Sequence, residues 1–378
     1  MKRVDAAAEH EVLMDLVNRF DDLSQVPEDA LRMAIAESCG RLLFDASWTL
    51  VERQDQIRAL YNRLRGLDIL QPLLDDSSIS EIMINGPDTI FIERAGRLEH
   101  VDLRFRDEDH LMQVMRQVYS GKNRALSITK PSNDVRLDDG SRVHGMIWPL
   151  TPDGPVFNIR KFNTIKPDAE TLIASGFIPE AIFRYLDCAV KERRSIFICG
   201  GTGSGKTTLL NILSHSIDPN ERVITIEDSC ELQLQDLPNL VRLECHASGG
   251  SAPAYDIGQL IRHALRMRPD RIIVGEVRGH EAADMLEAMN TGHPGTLSTG
   301  HGNSCADMAR RLANLVLAAT RLPYEVILEN IAAAFDLFVH LKREADGSRF
   351  VTEVVETSGF SQRQILYRTI YRRNGEPE

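Results

Sequence analysis

Residues 195–213 read SIFICGGTGSGKTTLLNIL. Gly200, Gly205, Lys206 and Thr207 satisfy the spacing G-x-x-x-x-G-K-[ST] without a gap, with Gly201, Thr202, Gly203, Ser204 and Thr208 completing the loop. A short apolar run precedes it and an apolar, helix-prone run follows, so the segment predicts a strand, a tight loop and a helix. Glycines let backbone N–H groups converge on phosphate oxygens without Cβ clashes. The helix N-terminus adds partial positive charge. The pattern therefore predicts a nucleotide site. Lys206 would bridge the β- and γ-phosphates, and the Thr207 hydroxyl would hold Mg²⁺. Binding alone does not imply hydrolysis, which needs further groups to position water.

Three later segments supply candidates. RVITIEDSCEL (222–232) reads as a strand ending at Glu227 and Asp228. A carboxylate at the C-terminal end of a parallel strand can bind Mg²⁺, directly or through water, or orient the attacking water. RPDRIIVGEVRG (268–279) is a second such strand. Where the usual acidic strand of a phosphate-loop enzyme places Asp for the metal, this chain has Gly275, and the carboxylate follows at Glu276. Glu276 suits an activator of water better than a direct metal ligand. MNTGHPGTLSTGHGNS (289–304) alternates like a strand leading to His301, where the ring could hydrogen-bond a γ-phosphate. His293 lies eight residues earlier, without Cys or carboxylate partners at zinc-ligand spacing.

With 378 residues, the chain is long enough for two to three domains and a buried core without disulfide staples. Its 43% hydrophobic and 26% charged residues are those of an ordinary globular protein. The six cysteines show no CxxC spacing and are expected to be buried thiols in a reducing compartment. A net charge of −11 argues against electrostatic capture of nucleic acid, so no direct nucleic-acid partner is expected. No run approaches the length of a membrane span, and the N-terminus lacks the apolar core of a signal peptide, which predicts a cytoplasmic chain.

Residues 1–66 read as an N-terminal helical segment, a possible three-helix bundle, with Pro27 near the second helix start. Residues 67–165 read as an α+β domain with a largely antiparallel sheet. It has a helix from Asp107 to Gly121 and a hairpin turn at Asp139-Gly140. Residues 166–180 carry Pro167, Gly176 and Pro179 and read as a linker with a short helix. From 181 to 378, strands alternate with helices, which predicts a largely parallel sheet with helices on its faces. The basic run Arg363–Arg373 is interleaved with apolar residues and reads as an edge strand or a helix with a solvated face.

Together, GGTGSGKTT, TIEDSCEL, RIIVGEVRG and TGHPGTLSTGH resemble the type II/type IV secretion and pilus ATPase superfamily, over roughly residues 79–345. Within it the chain looks most like the tight-adherence pilus branch (CpaF/TadA), on residues 80–99, 136–162 and 337–354. The ATPases of conjugative type IV secretion are the main alternative. The resemblance implies an α/β fold: a RecA-like phosphate-loop ATPase domain preceded by an α+β, PAS-like N-terminal domain and the helical segment. It implies a homohexamer that hydrolyses ATP with Mg²⁺ to drive pilus assembly or retraction, or secretion. The ring would act at the cytoplasmic face of the inner membrane, associated peripherally through platform proteins. By motif position, the loop residues bind nucleotide and Thr207 and Glu227 serve the metal. Glu276 is the catalytic glutamate, and Glu227 and His301 complete the acidic and histidine boxes. Arg136, Arg142 and Arg160 match basic positions around the N-terminal domain and linker, one or more of which the resemblance implies contacts phosphate in the closed interface. Arg278, beside Glu276, is read as an interface or orienting residue.

Overall fold

The three helices that open the chain are set by capping and by their apolar stripes. The computed structural model describes residues 6–20, 22–94, 96–122, 124–162, 168–234, 237–245, 254–344 and 346–373. Asp5, and Lys166 and Pro167 of the expected linker, lie outside them. Helix α1 spans Ala6–Arg19, α2 Glu28–Leu42 and α3 Leu50–Arg65. Pro27 caps α2, where its missing N–H costs nothing. Thr49 and Glu52 form a reciprocal capping box on α3. Val12, Leu16, Leu31, Ile35 and Leu60 make the shared core of the three helices.

A short helix α4 (Gln71–Asp75) leads into β1 (Ile79–Asn85), β2 (Ile90–Arg94) and β3 (Arg97–Val101). Then come α5 (Glu108–Ser120), β4 (Ser132–Arg136), β5 (Arg142–Met146) and β6 (Val156–Arg160). Among the described residues these strands form one antiparallel sheet in the order β3-β2-β1-β6-β5-β4. Strict alternation, as in the buried Val143 and Gly145 between outward Arg142, His144 and Met146, gives the sheet one apolar face. Helix α5 is capped by the Asp107 side chain on His110 N–H. Its Leu111, Val114, Met115 and Val118 lie in one core with Ile82, Ile84, Phe157 and Ile159 of that face. The buried Tyr119 hydroxyl donates to Asn133 O at 2.8 Å, satisfying an otherwise costly polar atom.

The chain divides into two compact units at residues 165/166. The second holds α6 (Ala169–Ala174), α7 (Glu180–Lys191), β7 (Ile196–Gly200), α8 (Lys206–Ser214), β8 (Val223–Glu227) and β9 (Leu240–Glu244). It continues with α9 (Ile257–Ala264), β10 (Arg271–Val277), α10 (Glu281–Asn290), β11 (Leu297–Gly300), α11 (Cys305–Ala319) and α12 (Tyr324–Ala334). Strands β12 (Leu337–Arg343), β13 (Arg349–Ser361) and β14 (Gln364–Arg372) close it. The sheet order is β14-β13-β12-β7-β11-β10-β8-β9, parallel from β12 to β9 and antiparallel at β13 and β14. Two apolar clusters are built on its strands, one with α9–α12 and the other with α6–α8. Strands buried on both faces explain why IIV (272–274) reads as a continuous apolar run.

The amino-terminal edge of this sheet is tied by Arg271, which is fully buried. Its guanidinium donates to both oxygens of Glu221, at 3.0 and 3.1 Å, and to the carbonyls of Gly295 and Val190. That clamp joins β10 to the turns ahead of β8 and β11 and to α7. Among the described residues, no helix is long and apolar enough to cross a membrane.

Candidate nucleotide site

The phosphate loop follows from β7, all five of whose residues are buried. Gly200 closes that strand with φ 152°, and a Cβ there would lie 2.3 Å from Leu341 O on the adjacent β12. The neighbouring strand thus excludes any side chain where the loop begins. Helix α8 starts at Lys206 behind Gly205, which is left-handed at φ 99°. The first N–H groups of α8 have no acceptor within the helix, as at any helix start. Lys206 is only 8% exposed. A buried ammonium must find acceptors. Its Nζ takes the loop's own carbonyls, Gly201 O at 2.9 Å and Gly200 O at 3.1 Å. Burial pulls the ammonium below its ordinary range, against the attraction of Glu276. Thr207 is half-buried at the next position.

The chain visits the strands out of order, and the sheet gathers what the sequence separates. Beside β7 lies β11, then β10, then β8. All run parallel, so the loop, His301, Glu276 and Glu227 leave from the same edge. His293 precedes β11 at its other end, where Nδ1 lies 3.1 Å from Ala288 O. The two histidines are therefore separated by a strand and do not form a ligand pair.

Gly275 has a through-space reason. A Cβ there would meet Glu227 Cγ at 2.8 Å and Oε1 at 3.3 Å. The Glu227 side chain from β8 thus packs over Gly275, occupying space that the usual aspartate of this strand would take. Glu227 Oε1 accepts from the N–H groups of Glu231 (2.9 Å) and Leu232 (3.0 Å), which fixes the turn after β8. Burial pushes its carboxyl up to about 7, against those two donors.

Glu276 is bracketed by two basic side chains. Arg278 Nη2 donates to Oε2 at 2.7 Å, and Arg278 Nη1 lies 3.6 Å from Asp228 Oδ2. His301 Nε2 stands 2.8 Å from Oε1, without the alignment of a hydrogen bond. Burial raises the Glu276 carboxyl, but Arg278, His301 and Lys206 outweigh it and hold the group below its usual range. His301 is lowered by burial and by Lys206, against the pull of Glu276. Two buried oxygens in this region, Glu276 Oε1 and Glu227 Oε2, have no hydrogen-bond partner. Orphaned carboxylate oxygens beside a phosphate loop and a threonine hydroxyl are hard-donor chemistry that fits Mg²⁺ and water. Among the described residues, no group of three His, Cys, Asp or Glu forms an all-protein metal cage. Mg²⁺ bound with substrate phosphates does not require one.

The three sequence-predicted arginines fall in the first unit. Arg136 is paired across the ladder with Arg142, and Arg142 with Arg160, so all three form one row on the outward face of β4-β5-β6. Arg142 lies 3.4 Å from Asp134, and Arg160 3.8 Å from Glu81. Sequence reasoning missed Arg343, at the end of β12. Its Nη1 lies 3.1 Å from where a Cβ on Gly203 would stand, against the crest of the loop. No motif marks it; only the pairing of β12 with β7 places it there.

Residues 63–370 match the family model for the type II/IV secretion system protein. The conjugal transfer protein TrbB of Rhizobium radiobacter is 34% identical over 297 residues, covering 78% of this chain and 88% of TrbB. The type IV secretion system protein VirB11 of Brucella suis is 32% identical over 318 residues, covering 76% of this chain and 88% of VirB11. Among solved structures, the ADP-bound pilus retraction motor PilT superposes with a TM-score of 0.57 at 18% identity, covering 82% of this chain and 83% of PilT, a likeness of fold. The chain belongs to the type II/IV secretion system protein family.

Proposed function

We propose that this chain is a Mg²⁺-dependent ATPase that powers a secretion machine of the conjugative type IV kind. The observation that carries the enzymatic part is the presentation of Lys206, His301, Glu276 and Glu227 from one edge of four adjacent parallel strands, with two carboxylate oxygens left unpartnered. Lys206 would exchange its two neutral carbonyl partners for the β- and γ-phosphates, a charge-assisted and therefore stronger pairing. Mg²⁺, held by Thr207 and Glu227, would neutralise charge on those phosphates. Glu276 takes a proton from water, the water oxygen bonds to the γ-phosphorus, and the bond to the bridging oxygen of ADP breaks. His301 donates a hydrogen bond at the γ-phosphate. One or more of Arg136, Arg142 and Arg160 supplies further positive charge at the phosphates. An arginine of this kind contributes roughly 10³–10⁵ in rate to phosphate-loop enzymes.

The conjugative machine is favoured by the names of the relatives TrbB and VirB11, each matched over most of its length. A tight-adherence pilus motor is the second reading, supported by residues 80–99, 136–162 and 337–354. In either case we propose a homohexamer docked on inner-membrane platform proteins at the cytoplasmic face.

The tests use the purified full chain with Mg-ATP. Lys206→Ala should abolish nucleotide binding. Glu276→Gln should retain it while turnover falls by roughly 10²–10⁴. Unchanged turnover in Glu276→Gln would remove Glu276 from the base role. In cells, Lys206→Ala should stop conjugal transfer; loss of surface pili with transfer intact would favour the second reading.

A further inference from the structure

Arg278 makes contacts that its exposure does not explain as stability. Its side chain is 60% exposed, and pairs that open to solvent contribute about 0–1 kcal/mol. Yet its backbone is pinned: the N–H groups of Arg278 and Gly279 donate to Glu281 Oε1 at 2.5 and 2.7 Å, and Glu281 is buried. From that fixed base the guanidinium spans β10 and the turn after β8, joining Glu276 to Asp228.

The effect on Glu276 is asymmetric. Oε2 is tied to Arg278, whereas Oε1 is buried, unbonded and turned toward His301. A carboxylate with both oxygens loose samples many orientations. One with a single oxygen anchored presents the other in a narrow range, which is what proton abstraction from a positioned water needs. Resting on the reading of Glu276 as the base, we propose that Arg278 is a positioning residue for it. Arg278 anchors Oε2, with Asp228 as its counter-anchor, so that Oε1 alone faces the reacting water.

The charged groups around Glu276 are Arg278 on its own strand, His301 beyond β11 and Lys206 on α8. Glu227 packs over the neighbouring Gly275, and Asp228 faces Arg278. Without Arg278, His301 and Lys206 would support the buried carboxylate alone. The acid limb of the kcat profile should then move to higher pH.

The experiment compares Arg278→Ala, Arg278→Lys and Asp228→Asn with the wild-type full chain in Mg-ATP turnover, binding of a fluorescent ATP analogue and thermal unfolding. Arg278→Ala should lower kcat roughly 10- to 100-fold, the scale of a misplaced reacting group, with KM, analogue affinity and unfolding temperature little changed. Lysine should restore part of the loss, and Asp228→Asn should show a smaller loss. Unchanged kcat and pH profile in Arg278→Ala would overturn the proposal. So would a weakened analogue affinity that accounts for the whole loss, which would make Arg278 a nucleotide ligand. Full turnover in Glu276→Gln would instead refute the reading of Glu276 itself, and the two failures are separable.

Discussion

Gly275→Ala tests whether the glycine in the second acidic strand exists to seat Glu227. The added methyl would meet Glu227 Cγ at 2.8 Å, Oε1 at 3.3 Å and Cβ at 3.5 Å. Neither strand can yield, since β8 is buried throughout and β10 is clamped by Arg271. The side chain of Glu227 must move, and it is held by the N–H groups of Glu231 and Leu232. Overpacking of this kind costs about 1–3 kcal/mol. A lost hydrogen bond adds roughly 1 kcal/mol. The sum, about 2–4 kcal/mol, corresponds to a fall in unfolding temperature of roughly 5–15 °C for a unit of this size. The decisive assay is a double-mutant cycle by thermal or urea unfolding. Glu227→Ala removes the obstacle, so adding Gly275→Ala to it should cost less than about 1 kcal/mol, a coupling of roughly 2 kcal/mol. Additive losses would refute the steric account and leave the glycine without this explanation.

Arg271→Met should destabilise the second unit by about 2–4 kcal/mol, because it leaves the buried Glu221 carboxylate only the longer Arg193 contact at 3.4 Å and removes the donors to Gly295 O and Val190 O. Pairing it with Glu221→Leu should recover most of the loss in urea unfolding. Glu227 also makes a pH prediction for the nucleotide- and Mg²⁺-free protein. Its folded pKa, about 7, lies above its unfolded value near 4.5. Its contribution to stability is therefore complete below about pH 4.5 and is lost as pH rises through 7, on the order of 3 kcal/mol in all. Glu227→Gln should flatten that part of the stability-against-pH curve.

The phosphate loop was legible because its requirements are local. Glycines at 200, 203 and 205 are needed for backbone conformation, and the loop's lysine and threonine follow at fixed spacing. The outward row of arginines was half-legible. The turn at Asp139-Gly140 sets Arg136 against Arg142, but Arg160 joins them through a strand pairing that no local signal encodes. The meaning of Gly275 was hidden, since its cause is a side chain 48 residues earlier in sequence on the adjacent strand. The C-terminal basic run left strand and helix open. The reason lies in β13 and β14, whose register shifts between Val354 and Val355 and between Thr357 and Gly359. Each irregularity breaks the period-two pattern from which a strand is read.

Added arginines matter most for the charge that develops in the transition state. Near the loop, Lys206 and Arg278 face Glu276 and Asp228, two cations against two anions. Glu231, Arg242 and Arg311 add charges of both signs around this group. Mg-ATP carries net negative charge that grows on the γ-phosphoryl oxygens as the bond breaks. Cations that reach those oxygens stabilise the transition state more than the bound substrate. On the proposed reading, Arg136, Arg142 and Arg160 are candidates for such cations, and charge-removing substitutions at them should lower kcat more than nucleotide affinity.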